Sequence, residues 1–370
     1  MYIQDLLSLR DKNVIHMNKH PGALAQYNYL DILPKPYELV DDGQIIFKLY
    51  YPNAHSVIVQ YGIHTIQMVK GKWWEGGCKR LDGFQMINII LDGNYILNQC
   101  FPICFMENQP CNYIDLNDDA KLGVPRGSIV TEMIYSNEFQ CLHRVMMYLP
   151  PQYYAEPNRR FPVLYLQHGH GENETAWINQ GKIHYVCDEL IFDKKMTPMI
   201  IVMSNGMNFR ATSNALLLDF AIGFERMLIQ EILPFIDNRY RTLCNKENRG
   251  MAGLSMGSLQ TSIITMKNQD LFSCVGLFSG FVQNPLSEEK DYLCETNLAT
   301  YGEAMDVYFR AIGDKDEFYS IFTNDDVFLE QHHIANIRRI YHGGHEWNVW
   351  KQCFTDFIQL IFKEELRYEN

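Results

Sequence analysis

The sequence predicts two domains, a small all-β sandwich followed by an α/β domain built on a mostly parallel sheet, and three observations carry this. The 370 residues exceed what one small core usually organises. Short apolar runs separated by turn residues fill the first third of the chain. Beyond about residue 118, apolar runs alternate with amphipathic helical stripes, the pattern of a sheet covered on both faces.

Residues 1–40 are read as an N-terminal extension and 41–118 as the sandwich. Ile45-Ile-Phe-Lys-Leu-Tyr-Tyr51, Ser56-Val-Ile-Val-Gln-Tyr61 and Thr65-Ile-Gln-Met-Val69 have strand composition, and Pro52-Asn53, Gly62, Gly71 and Gly76-Gly77 punctuate them. The runs 85–91 and 95–97 flank Asp92-Gly93-Asn94, a hairpin turn whose residues tolerate positive φ. Trp73 and Trp74 are expected in the core of so small a sandwich, with a sugar-stacking platform as the alternative.

In residues 119–370 the runs 144–149, 163–167 and 199–203 are expected strands. Apolar residues at 224, 227, 228, 232, 235 and 236 make a helical stripe within 220–240. Residues 249–255 then read as a short strand running into a turn, with a helix-like stretch, 259–266, after it. Another strand, 307–312, a β-like run, 336–341, and a terminal amphipathic helix, 349–362, complete the reading. The loops 205–214 and 283–299 are expected to shape any pocket.

Composition excludes several classes. Apolar residues make up 47% and charged residues 21%, the balance of a soluble globular chain, and no run approaches the roughly 20 apolar residues of a membrane span. A formal net charge of −12, with no Lys/Arg cluster, disfavours nucleic acid and other polyanions. The start of the chain has Asp5 and no basic stretch ahead of an apolar run, so a cytoplasmic protein is expected, or a secreted one whose signal has been removed. Ten scattered cysteines without a C-x-x-C pair suit reduced thiols better than zinc sites or a disulfide framework, including the cluster Cys100, Cys104 and Cys111. Nothing calls for a metal or a cofactor, and a homo-oligomer is compatible with the sequence.

The chemistry-bearing signal is Gly253-Leu254-Ser255-Met256-Gly257, a G-x-S-x-G pattern between a strand and a helix. A serine projected from a sharp strand-to-helix turn leaves no room for side chains two residues either side. Its hydroxyl then sits at a helix N-terminus, and the Met256 N–H points at a developing oxyanion. The plainer alternative is a glycine-bounded turn with a helix-capping serine.

A nucleophilic serine needs a base held in one tautomer by an acid, in the chain order Ser, Asp or Glu, His. Among the later histidines, His332 and His333 read as solvated surface, while His342 and His345 lie on the loop Tyr341-His-Gly-Gly-His345 after a β-like run. His345, set at the loop's tip by Gly343-Gly344, is the favoured base; His342 is the alternative and is expected to hydrogen-bond locally. Asp314, Asp316 and Glu317 crowd one turn after the 307–312 strand, so spacing alone does not fix the acid. Asp316 is favoured, with Asp314 as alternative. A second oxyanion donor is expected from His168-Gly169-His170-Gly171, whose backbone positions are expected to matter more than the imidazoles.

These motifs, with Arg144-Val-Met-Met-Tyr-Leu-Pro-Pro151, Phe161-Pro-Val-Leu-Tyr-Leu-Gln-His-Gly169, Trp177, Gly344-His-Glu-Trp347 and Trp350, resemble the esterase D-related carbohydrate esterases, which include feruloyl and acetyl xylan esterases. The resemblance spans about residues 130 to 365. It implies an α/β-hydrolase fold with Ser255 as nucleophile, Asp316 as acid, His345 as base, and the amides of His170 and Met256 as oxyanion hole. Residues 41–118 resemble the immunoglobulin-like early-set module that precedes many such esterases and is related to glycogen-binding modules. The implied activity is hydrolysis of feruloyl or acetyl esters on plant-derived carbohydrate, or of another small ester substrate. A cytoplasmic siderophore esterase acting on a catecholate lactone is the rival enzymatic reading, and a carbohydrate-binding protein with a decayed hydrolase domain the non-enzymatic one.

Overall fold

The computed structural model describes residues 36–116, 120–207, 223–282 and 295–363, without the side chains of 295–299. Most of the expected N-terminal extension (1–35) and of the pocket-shaping loops (208–214 and 283–294) therefore lies outside the described residues. The chain divides into two compact units, Met1–Asp119 and Ala120–Asn370.

The first unit holds β1 (Tyr37–Val40), β2 (Gln44–Leu49), β3 (Val57–Tyr61), β4 (His64–Gln67), β5 (Val69–Lys70), β6 (Trp74–Lys79), β7 (Gly83–Leu91), β8 (Asn94–Ile96), β9 (Ile103–Met106) and β10 (Gln109–Leu116). They form two sheets, β1-β2-β6-β5 and β4-β3-β7-β10-β9, with β8 paired to β7. The period-2 pattern explains the core. Ile45, Phe47 and Leu49 of β2 are buried together with Val57, Val59 and Tyr61 of β3, while the residues between them point outward or lie half-buried. Asp92 (φ 49°) and Gly93 (φ 84°) make the two-residue turn between β7 and β8, so Asn94 belongs to the strand rather than the turn.

The sandwich starts ahead of the expected boundary at 41. β1 pairs antiparallel with β2 across Asp41-Asp42-Gly43, which is a hairpin turn rather than a domain edge. None of the four residues of β1 is fully buried, so this edge strand lacks the apolar alternation that marks its neighbours. The two tryptophans also separate. Trp74 is buried and donates its indole N–H to the Tyr51 carbonyl at 2.9 Å, whereas Trp73 is half-buried and meets Tyr50 edge-on at 5.3 Å. Trp74→Ala is therefore expected to destabilise the protein by about 3–5 kcal/mol, the usual cost of truncating a buried tryptophan. Trp73→Ala should cost much less, and urea unfolding of the two variants checks the ranking.

The second unit is built on one eight-stranded sheet: β11 (Ser128–Ser136), β12 (Cys141–Leu149), β13 (Val163–Gln167), β14 (Ile200–Ser204), β15 (Arg249–Leu254), β16 (Cys274–Phe278), β17 (Val307–Gly313) and β18 (Ile337–Tyr341). Their order is β11-β12-β14-β13-β15-β16-β17-β18. β12 pairs antiparallel with β11 and β14, and every later pairing is parallel. Every residue of β13 to β17 is buried, so both faces of the central sheet are covered. This is the α/β-hydrolase arrangement.

Helices α1 (Gln152–Ala155), α2 (Ala176–Asn179), α3 (Ile183–Phe192), α4 (Leu233–Arg239), α5 (Met256–Lys267), α6 (Glu295–Ala304), α7 (Tyr319–Gln331) and α8 (Trp347–Ile358) occupy the connections. A π-helical segment, Leu228–Ile232, runs directly into α4. α5 packs on β13, β15 and β16, and it is buried from Met256 to Met266. The terminal helix begins at Trp347 rather than 349, because the chain turns helical directly after Glu346. β11 and β16 were not foreseen.

Candidate active site

β15 ends at Leu254 and α5 starts at Met256, leaving Ser255 as the whole turn. Its backbone sits at φ 51° and ψ −117°, a conformation that costs a non-glycine residue about 1–3 kcal/mol and is found mainly at functional sites. The cost is held by neighbours: the Ser255 N–H donates to the Phe278 carbonyl at 2.9 Å. The flanking glycines are required by contact. A Cβ on Gly253 would stand 2.4 Å from the Gly257 carbonyl group, and one on Gly257 would stand 2.5 Å from the His168 carbonyl oxygen. Strand end, helix start and the loop after β13 thus touch through bare backbone.

His345, on the loop after β18, places Nε2 2.9 Å from Ser255 Oγ. Its Nδ1 is 2.9 Å from Asp316 Oδ2 and 3.1 Å from Oδ1, on the loop after β17. Phe318 and Trp350 meet the imidazole edge-on, at 5.0 and 4.9 Å between centroids. The Asp316 side chain is 0% exposed. Its burial works to raise its pKa, but hydrogen bonding and charge interaction with His345, together with the Phe318 N–H, outweigh burial and hold the carboxyl below its ordinary range. Asp316 therefore stays ionised at neutral pH and keeps the Nδ1 proton on the imidazole.

The same two loops contain a second acid–imidazole pair. Asp314 accepts the Gly343 N–H at 3.0 Å and lies 3.0 Å from His342 Nδ1. Both of these side chains are exposed, 43% and 78%. His342 and Asp314 thus pair with each other at the surface, and the hydrogen-bonded chain that reaches Ser255 runs through His345 and Asp316. His332 and His333 are exposed.

Directly after Ser255, the Met256 N–H is the first of α5, one of the leading helix amides without an intrahelical acceptor, where the helix dipole favours negative charge. His170 is exposed in the turn after β13. The imidazole of His168 has a place of its own beside its backbone. It is buried, which pushes its pKa down to about 4 and keeps it neutral. In that form Nδ1 donates to the Gly169 carbonyl at 2.8 Å and Nε2 accepts the Gly206 N–H at 3.0 Å. Gln260 of α5 braces the same loop by donating to the Gly206 carbonyl at 3.0 Å. Sequence reasoning also passed over Glu172, a buried carboxylate in this turn. Among the described residues no group of three His, Cys, Asp or Glu side chains could hold a metal ion.

Ser255, Asp316, His345, His168 and Glu172 lie beyond the C-terminal ends of β13, β15, β17 and β18, where an open α/β sheet presents its working residues. The chain is 30% identical, over 97% of its length, to an endo-1,4-beta-xylanase/feruloyl esterase of Xylanibacter ruminicola, and covers 50% of that protein. It is 31% identical over 31% of its length to endo-1,4-beta-xylanase Y of Acetivibrio thermocellus, covering 11% of it. The chain thus spans half or less of the length of these curated relatives. Among solved structures, a ferulic acid esterase from Anaeromyces mucronatus superposes with a TM-score of 0.57 at 22% identity, over 66% of this chain and 94% of that one. The enterobactin esterase of Shigella flexneri superposes with a TM-score of 0.62 at 13% identity, over 87% of this chain and 94% of that one. At these identities both likenesses are likenesses of fold. The Esterase family model matches residues 136–360, more than half of the chain, and the chain belongs to that family.

Proposed function

We propose that the protein is a serine esterase that removes acyl groups, feruloyl first and acetyl as the alternative, from plant-derived carbohydrate. The observation that carries the reading is the hydrogen-bonded chain from Asp316 through His345 to Ser255, ending on a hydroxyl at a helix N-terminus. Ser255 Oγ adds to the ester carbonyl carbon while His345 Nε2 takes its proton. The Met256 and His170 amides receive the oxyanion. Collapse of the tetrahedral intermediate breaks the ester C–O bond, and His345 returns the proton to the leaving sugar hydroxyl. Water, deprotonated by His345, then releases the acid and restores Ser255. Asp316 holds the imidazole in the working tautomer and stabilises its cation, and no cofactor is needed.

Two things support the feruloyl assignment. The Xylanibacter relative carries a feruloyl esterase name, and Phe318, backed by Phe281 at 5.0 Å, gives the histidine side of the site an aromatic wall that suits an aromatic acyl group. The test is turnover of p-nitrophenyl acetate, p-nitrophenyl butyrate, methyl ferulate, acetylated xylan and a tri-catecholate lactone. Methyl ferulate is expected to give the highest kcat/KM. A preference for acetate esters would reassign the acyl group, turnover of the lactone alone would favour siderophore hydrolysis, and no turnover of any ester would remove the enzymatic reading.

A further inference from the structure

The turn after β13 is closed by one of its own side chains. Glu172, 5% exposed, accepts the Gly169 N–H on Oε2 at 2.9 Å. On Oε1 it accepts the Trp347 indole N–H at 2.8 Å and the Gln180 amide at 3.3 Å. All three partners donate and none carries a charge. A buried carboxylate without a cation is costly to keep, and burial pushes the Glu172 pKa up to about 7 against the pull of its three donors. Such a departure from good packing practice is expected where geometry serves function.

The two ends of this contact lie on the two sides of the reaction. Gly169 directly precedes His170, and a Cβ on it would stand 3.6 Å from the Ser255 Cβ. Trp347 lies two residues beyond His345. It meets Trp350 edge-on at 5.4 Å, and Trp350 meets the His345 ring at 4.9 Å. We infer that Glu172 is a positioning residue whose carboxylate ties the Gly169–His170 turn to the Trp347 end of the histidine loop, fixing the oxyanion amide of His170 relative to Ser255 and His345. This inference rests on the esterase reading above.

Glu172→Gln tests it at nearly constant volume. Whichever way the amide is turned, its NH2 faces a donor, Gly169 N–H or the Trp347 indole, so one strap is lost. The expected result on methyl ferulate is a fall in kcat of about 10- to 100-fold, the scale of a misplacement near 1 Å, with KM within a few-fold. Affinity for an arylboronic acid, which forms a tetrahedral adduct on Ser255, should fall in parallel while inhibition by free ferulate stays unchanged. A purely structural role would lower the melting temperature but leave kcat per titrated site and the boronate-to-ferulate affinity ratio at wild-type values, and that result would overturn the inference. If Glu172→Gln does not fold, Trp347→Phe removes one donor from the same carboxylate. It should shift both readouts in the same direction by less, and wild-type kcat in that variant would be equally fatal. Absence of ester turnover in the wild-type protein would overturn the esterase reading and the inference together, an outcome distinct from active wild type with an unaffected variant.

Discussion

Ser255→Ala is expected to lower kcat for every ester the protein hydrolyses by about 10⁴- to 10⁶-fold, the loss seen when a triad nucleophile is removed and only binding and oxyanion stabilisation remain. The fold should survive, because alanine keeps the Cβ and the backbone N–H that bonds the Phe278 carbonyl. Comparing circular dichroism and steady-state rates of purified wild type and variant checks both halves of the expectation. Turnover within tenfold of wild type would place the nucleophile elsewhere.

Asp316→Asn should reduce kcat by about 10³- to 10⁴-fold while KM moves only a few-fold. An amide can present its NH2 to Nδ1 and so favour the wrong imidazole tautomer, and it offers the imidazolium no charge. Asp314→Asn is the control from the same turn. Its pair with His342 is exposed to water, where such pairs contribute little, so kcat should stay within a few-fold of wild type. A reversed ranking in steady-state kinetics would mean that the surface pair, rather than the buried one, serves the serine.

The strand-to-helix turn at Ser255 was legible in the sequence because its glycines are a steric necessity: Gly253 and Gly257 lie where a Cβ would strike backbone, and only glycine answers that demand. The partner of His345 was harder to read, since Asp314 and Asp316 both end up beside a histidine. What separates them is the direction of the chain after Gly313, which turns one carboxylate inward and leaves the other in solvent, and no spacing rule records that. β16 escaped notice because Gly276 interrupts its apolar run. A Cβ at this position would crowd the Ala252 Cβ on the neighbouring strand at 3.0 Å. β11 escaped because it keeps alternate residues exposed almost to its end and has no continuous apolar signal. The π-helical segment Leu228–Ile232 is invisible to periodicity, since the apolar steps at 224, 227, 228 and 232 fit an ordinary helix equally well. Glu172 reads as one more loop acid beside Glu174 until Trp347, 175 residues later, is brought against it.

The most direct measurement is covalent trapping. Incubation with an alkyl fluorophosphonate, followed by intact-mass analysis and peptide mapping, should show a single phosphonyl group on the peptide containing Ser255, with ester hydrolysis lost in proportion to labelling. His345→Ala should slow that labelling sharply, because the base that takes the Oγ proton is gone. A phosphonyl group on any other serine, or full ester hydrolysis in protein stoichiometrically labelled at Ser255, would contradict the assignment of this residue as the nucleophile.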